Sequence, residues 1–343
     1  MKISFKNLDM NTVSIRNMKS LFIHCSNLKE IDFSDFDAHN ITDMSYIFVD
    51  CEQVEQLDLS NFVTRQACNM QNMFDNCRRL KQLDLSNFDT SKVDNMTNMF
   101  YGCSSVKQLD LSNFDTRRVQ NMSRMFVDCY DLEKLDVSSF DTKSVEFMAA
   151  MFSGCHRLIA LDLSNFDTQI VKDMGNMFEE CISLKQLDIS NFDTHNTYTM
   201  EGMFNGCFEL TNLKLSSFET HNVENMGNMF YNCEHLEQLD ISTFNTRSVN
   251  NMMAMFGYCS SLKVLDLSNF DTHRVKTMLG MFKDCESLEK LNISSFIICS
   301  DTDIDGMFRG CKSLKEVILP KDKYSRFRIR EQLEKDNIQC NTK

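Results

Sequence analysis

Leu80–Ser105 reads LKQLDLSNFDTSKVDNMTNMFYGCSS, and this stretch recurs, with variation, from one end of the chain to the other. Cysteine fixes its period. Cys25, Cys51, Cys77, Cys103 and their successors up to Cys311 stand 26 residues apart, each with a Phe three residues before it, from Phe22 to Phe308. Equal spacings with no insertion describe one structural unit stacked on copies of itself. Each unit of such a stack touches only its neighbours, so the length of 343 residues does not by itself divide the chain into globular domains. Within the unit, Leu83 and Leu85 alternate with Gln82, Asp84 and Ser86, the period-2 pattern of a half-buried strand. Val93, Met96, Met99, Phe100 and Cys103 follow at the spacing of one helix face, with Asp89 or Thr90 as its N-cap. The expectation is an α/β right-handed solenoid of about twelve coils, each with a short strand and a short helix, the strands pairing in parallel.

Three segments divide the chain. Residues 1–27 lack the LDLS signature, although Phe5, Met10, Ile15, Met18, Leu21 and Phe22 fall on repeat positions; they read as an N-terminal capping coil, since a terminal repeat has one face without a neighbour. Residues 28–319 hold the regular coils, with an irregular junction at 297–303, where Ile297, Ile298, Cys299 and Asp301 replace the D-T-x-x-V unit. Residues 320–343 leave the repeat after Pro320. There Lys323–Asp336 reads as a charged helix, apolar at Phe327, Ile329 and Leu333, closing the last coil as a C-terminal capping segment.

The net charge is −13, and the last 23 residues carry seven Lys/Arg against four Asp/Glu, which leaves the repeats near −16. Such a surface argues against a nucleic-acid backbone as partner and allows basic partners or divalent cations. No apolar h-region opens the sequence, and no run of about 18 apolar residues occurs that could span a bilayer. The cytoplasm is therefore the default location that the sequence carries.

The string L-x-x-L-D-L-S-x-F-D-T-x-x-V-x-x-M-x-x-M-F-x-x-C, as in LDLSNFDTSKVDNMTNMFYGC and LDLSNFDTHRVKTMLGMFKDC, resembles the 26-residue repeat of BspA-family leucine-rich-repeat surface proteins and mycoplasma-type surface lipoproteins. The resemblance covers roughly residues 10–319. It implies a leucine-rich-repeat-like solenoid with an adhesive or protein-binding role at a cell surface, and it supplies no catalytic residues. The family's export signal, lipobox or wall anchor is not legible here.

Four columns could carry chemistry. The twelve periodic cysteines share the apolar face and read as inert core thiols. On helices, equivalent Cα atoms would stand about 10 Å apart, beyond the roughly 4.4–6.8 Å of a disulfide. No C-x-x-C or Cys/His pair supplies a zinc site; Cys68, Cys299 and Cys340 are off-register and more accessible. The Met and Phe columns read as core. The second Asp column, from Asp37 and Asp89 to Asp271, reads as turn and cap chemistry with its following Thr, and His195, His221 and His273 as solvated. The outward strand position is the functional candidate: Asp84, Asp110, Asp136, Asp162, Asp188, Asp240 and Asp266, flanked by Gln82, Gln108 and Gln186. These carboxylates either bond to neighbouring Ser, Gln or backbone N–H groups or present an acidic stripe to a protein partner, with weak affinity for divalent cations. No cofactor and no catalysis is expected. Two functions remain open: an adhesin-like interaction protein, and an intracellular scaffold or delivered effector using the same surface.

Overall fold

The computed structural model describes residues 2–4, 16–33, 40–60, 62 and 64–343. The sequence assignments at Phe5, Met10, Ile15 and Asp37 lie outside the described residues. The chain forms two compact units, Met1–Asp167 and Thr168–Lys343. Each is a solenoid stack, and together they hold about twelve turns of 26 residues.

In the first unit lie β1 (Lys2–Ser4), β2 (Glu30–Asp32), β3 (Gln56–Leu57), β4 (Gln82–Leu83), β5 (Gln108–Leu109) and β6 (Lys134–Leu135). In the second lie β7 (Gln186–Leu187), β8 (Asn212–Leu213), β9 (Val264–Asp266), β10 (Lys290–Asn292), β11 (Glu316–Ile318), α1 (Lys323–Lys335) and β12 (Asn341–Thr342). Strand pairing among the described residues is parallel, and from β3 to β11 its register equals the sequence period, as in Gln56↔Gln82 and Gln108↔Lys134, whereas β1 pairs β2 at an offset of 28 (Lys2↔Glu30) and β11 pairs β12 at 25 (Glu316↔Asn341). The position of Leu83 thus does fall in a strand in most coils, though of only two or three residues, while Leu85 lies beyond β4.

The helix expected in every coil is absent. Among the described residues the one helix is α1, which lies outside the repeats. The apolar spacing of Val93, Met96, Met99, Phe100 and Cys103 is produced instead by consecutive tight turns. Val93, Met99 and Cys103 donate their N–H groups three residues back, to Thr90, Met96 and Phe100. Every second N–H points along the stack to the next coil: Met96 to Asn121 O, Asn98 to Ser123 O, Phe100 to Met125 O and Gly102 to Val127 O. An α-helix spends all of these groups within itself. Here the backbone turns left-handed at two positions per coil, Asn98 (φ 55°) and Gly102 (φ 66°) in this one, which a right-handed helix cannot contain. The expected N-cap is accordingly a turn. Asp89 Oδ1 accepts the Ser91 N–H at 3.0 Å, and buried Thr90 binds the next coil, its Oγ1 donating to Asp115 O at 3.0 Å and accepting the Asp115 N–H at 2.8 Å.

The core is built of columns. In the first unit Phe22, Phe48, Phe74, Phe100, Phe126 and Phe152 stack with centroid steps of 5.7, 5.6, 5.7, 5.7 and 5.8 Å. The second unit repeats this from Phe178 to Phe308. The Met, Val and Leu columns beside them are buried. All fifteen cysteines are free, and the periodic ones from Cys51 to Cys311 are buried. The helix-based separation invoked above does not apply to them, because coils bonded like strands follow one another at about 4.8 Å. Periodic thiols donate to a backbone carbonyl of the preceding coil: Cys103 Sγ to Phe74 O at 3.2 Å and Cys129 Sγ to Phe100 O at 3.2 Å. Burial pushes the thiols of Cys51, Cys259 and Cys311 up to about 12.

At the far end of the second unit, α1 begins with Asp322 accepting the Ser325 N–H at 2.7 Å. It lays Ile329 and Leu333 into the core and leaves Phe327 exposed. Asp336, just past it, accepts the N–H of Phe308 in the last coil at 2.9 Å.

Candidate functional site: the sheet face of each unit

The strands are short because each coil spends its remaining residues on turns: Asp84, Asp110, Asp136 and Asp188 stand one position past β4, β5, β6 and β7, Asp266 ends β9, and the stretches around Asp162 and Asp240 form no strand. Asp84, Asp110, Asp136 and Asp162 lie exposed on the first unit, and Asp188, Asp240 and Asp266 on the second. Each is tied down by the Ser two residues on. Asp84 Oδ1 accepts the Ser86 N–H at 2.9 Å, Asp110 that of Ser112 at 3.0 Å, Asp136 that of Ser138 at 2.9 Å and Asp162 that of Ser164 at 3.0 Å. The second unit repeats the turn at Asp188–Ser190, Asp240–Ser242 and Asp266–Ser268, at 3.0, 3.1 and 2.9 Å. The Ser86 hydroxyl, then its N–H, hold Asp84 below the ordinary value of 3.8, and the same pair acts on Asp110 and Asp136. At Asp162 the Ser164 N–H leads. These carboxylates are ionised at neutral pH, held by one oxygen.

Gln82 and Gln108 stand beside Asp84 and Asp110 with exposed side chains, as Gln186 does beside Asp188. In the first unit these columns line an open groove of about 1560 Å³ running from Lys81 to Ala160. A second groove of about 320 Å³ continues it through Gln56 and Asp58 to Glu30 and shares Gln82 and Asp84 with it. The groove thus gathers Gln82, Asp84, Gln108, Asp110 and Asp136. Asp162 continues the column, and Gln186, Asp188, Asp240 and Asp266 belong to the second unit's own face.

A third column was not singled out from the sequence. One residue before the Gln position, coils pair their charges: Lys81 with Glu55 at 2.8 Å and Lys107 with Glu133 at 3.7 Å, with Arg157 also reaching Glu133 at 3.6 Å. The mixture of signs at Glu55, Lys81, Lys107 and Glu133 was its readable trace. Exposed apolar residues also interrupt the faces, Ile159 in the groove at 59% and Val264 at 57%. The columns therefore differ in electrostatic character: one cancels charges between coils, as in Lys81–Glu55 and Lys107–Glu133, while Asp84, Asp110 and Asp136 are held by the Ser of their own turns. No group of three His, Cys, Asp or Glu side chains among the described residues could hold a metal ion, and no helix is long and apolar enough to cross a membrane.

Comparison with curated proteins returns no match. Among solved structures, the chain is similar to a leucine-rich cell surface protein of Faecalibacterium prausnitzii A2-165, at 15% identity over 95% of this chain and 89% of that one, with a TM-score of 0.48. It is also similar to a chain of the TLR13–ssRNA13 complex (16% identity, 86% and 54% covered, TM-score 0.30). A third match is to a chain of the octameric complex of Latrophilin 3, Unc5D and FLRT2 (14% identity, 85% and 84% covered, TM-score 0.28). The family model described as "Mycoplasma protein of unknown function, DUF285" matches residues 2–108, 80–160, 129–239 and 208–321 in overlapping succession, so the repeat quoted at the outset places the protein: the chain belongs to that family.

Proposed function

We propose that the protein is a non-enzymatic interaction module of the adhesin kind, which binds protein partners along the Gln/Asp sheet faces, with Gln82, Asp84, Gln108, Asp110, Asp136 and Asp162 on the first unit and Gln186, Asp188, Asp240 and Asp266 on the second. One observation carries the reading: the Asp column stays exposed and ionised while the charges beside it are cancelled between coils. Many weak contacts to a column of fixed spacing add up along it. The resemblance to BspA-type surface repeats supports a partner outside the cell. In this reading residues 1–27 and 320–343 cover the ends of the repeats at 28–319. Photo-crosslinkers placed at Gln108 on the sheet face and at Asn121 on the turn ladder test the assignment. Capture confined to the Gln108 probe is the expected result, and capture from Asn121 alone would transfer binding to the other side.

The free thiols favour a second reading, an intracellular scaffold or delivered effector, because exported proteins tend to pair their cysteines. Protease shaving of intact source cells separates the two. Release of the Gln108–Arg117 peptide from unlysed cells places the repeats outside, and protection until lysis places them inside.

A further inference from the structure

We infer that the outward face of α1 docks on an anionic lipid bilayer. The inference goes beyond the proposed binding faces and uses none of their residues. Lys321–Arg330 holds five Lys/Arg against one Asp. That Asp is engaged within the chain, since Asp322 Oδ2 accepts the Ser325 N–H and hydroxyl, each at 2.7 Å. Other lysines at this end of the second unit are neutralised: Lys312 by Glu286 at 2.6 Å, Lys315 by Glu289 at 2.9 Å, Lys343 by Glu316 at 2.7 Å, and Lys335 by Asp305. Lys321, Lys323 and Arg330 are exposed and have no carboxylate partner among the described residues. Arg328 is turned inward, onto Cys299 O at 3.5 Å and Thr302 O at 3.4 Å, and its guanidinium also holds the Tyr324 hydroxyl at 3.2 Å.

Cations alone would suit any anion. The second observation is where the aromatic side chains stand. With 3.6 residues per turn, Phe327 lies roughly 160° round the helix from Ser325 and Ile329, both of them buried. It is therefore at the centre of the outward face, and it is 57% exposed. Lys323, Tyr324 and Arg330 lie within about 60° of it, and Tyr324 is itself 46% exposed. An aromatic ring ringed by cations matches the layering of a bilayer surface. The ring passes below the headgroups, while the long Lys and Arg stems leave their charges among the phosphates. An acidic protein would answer the cations but must bring its own apolar group to Phe327, which a bilayer supplies everywhere. Glu331 and Glu334 follow on the same face, so the contact is confined to its first two turns. With 13 residues α1 lies on the bilayer and does not span it. The repeats, near −16, are repelled by the same lipids, which restricts the contact to this helix.

The test is co-sedimentation of the full chain with vesicles of phosphatidylcholine alone and of phosphatidylcholine mixed with phosphatidylglycerol. Binding is expected to the mixed vesicles only, and high salt should release it. Lys323→Gln with Arg330→Gln should lower the partition coefficient about tenfold, and Phe327→Ser about fivefold. All three side chains are exposed, so the fold is kept. Lys312→Gln with Lys315→Gln makes the same change in net charge on lysines that are already paired, and it should leave partitioning within about twofold. No sedimentation with the mixed vesicles overturns the inference. Equal loss in the two double variants also overturns it, because the attraction would then be one of net charge. Unchanged partitioning of Phe327→Ser overturns the bilayer as occupant and leaves the cations to a soluble acidic partner.

Discussion

Asn98 and Gly102 carry the left-handed turns of their coil, and the same two positions are left-handed in the other described coils. Asn, Asp and Gly fill most of them, the residues for which positive φ costs least. Arg124 (φ 58°) is an exception with an exposed side chain. Arg124→Gly is expected to stabilise the protein by about 0.5–1 kcal/mol, read as a raised urea midpoint. Gly102→Ala should do the reverse, because its new Cβ would sit 2.6 Å from Asn76 Oδ1 and 3.3 Å from Asn76 Cα. These Asn and Gly positions, four apart in coil after coil, were visible in the sequence. They were the signal against a helix, but the apolar spacing is common to a helix face and to a run of tight turns, and only the direction of the N–H groups separates the two. The thiols were more legible, since a Cys in every copy of a core column has no solvent to meet. With burial pushing pKa values such as that of Cys259 to about 12, native titration with a disulfide reagent at pH 8 should label exposed Cys68 first. The periodic row should react only after denaturation.

The elements hold together through side chains that bind backbone one coil away. Thr116 is buried, donates to Asp141 O at 2.9 Å and accepts the Asp141 N–H at 2.8 Å. Thr116→Val keeps the shape and strands both backbone groups, a cost of about 2–4 kcal/mol in thermal or urea unfolding. Thr116→Ser should recover most of it. Asn113 does similar work at the adjoining corner, its Nδ2 donating to Leu85 O at 3.0 Å and Phe88 O at 2.7 Å. In the sequence, Asp-Thr suggested a helix cap, because a residue that satisfies a neighbouring N–H looks the same whether the next turn is helical or not. The strands were legible from Leu83 and Leu85, and the charged helix from the break at Pro320, since each follows from a local pattern. The ion pairs from Lys81 to Glu55 and from Lys107 to Glu133 join residues 26 apart and appear only once the coils are in register.

At the scale of the molecule, stability depends on pH through the exposed Asp columns. Their folded pKa values lie below the ordinary 3.8. Their contribution is therefore complete above about pH 3.8 and is lost as pH falls through the lower folded values. Stability should be flat from neutral pH down to about 4 and should fall below that, as acid titration followed by circular dichroism would show. Core damage should stay near its origin, since each coil rests on its neighbours. Phe100→Ala opens a gap in a stacked column and should cost about 3–5 kcal/mol. Hydrogen exchange should rise first in the coils of Phe74 and Phe126.

The turn ladder also gives each stack a direction in time. Every completed coil holds out a row of N–H groups, from Met96, Asn98, Phe100 and Gly102 in one case, toward the residues that follow it in the chain. During synthesis those residues arrive later, and their carbonyls meet donors already in place, so each finished coil is a mould for the next. Along this turn ladder the open edge of a growing stack is its donor edge, while carbonyls such as Asp94 O and Lys107 O wait beside it for the N–H groups of Gln120 and Glu133. At the coil of Phe308 that edge meets a carboxylate in place of a backbone carbonyl, where Asp336 takes the N–H of Phe308.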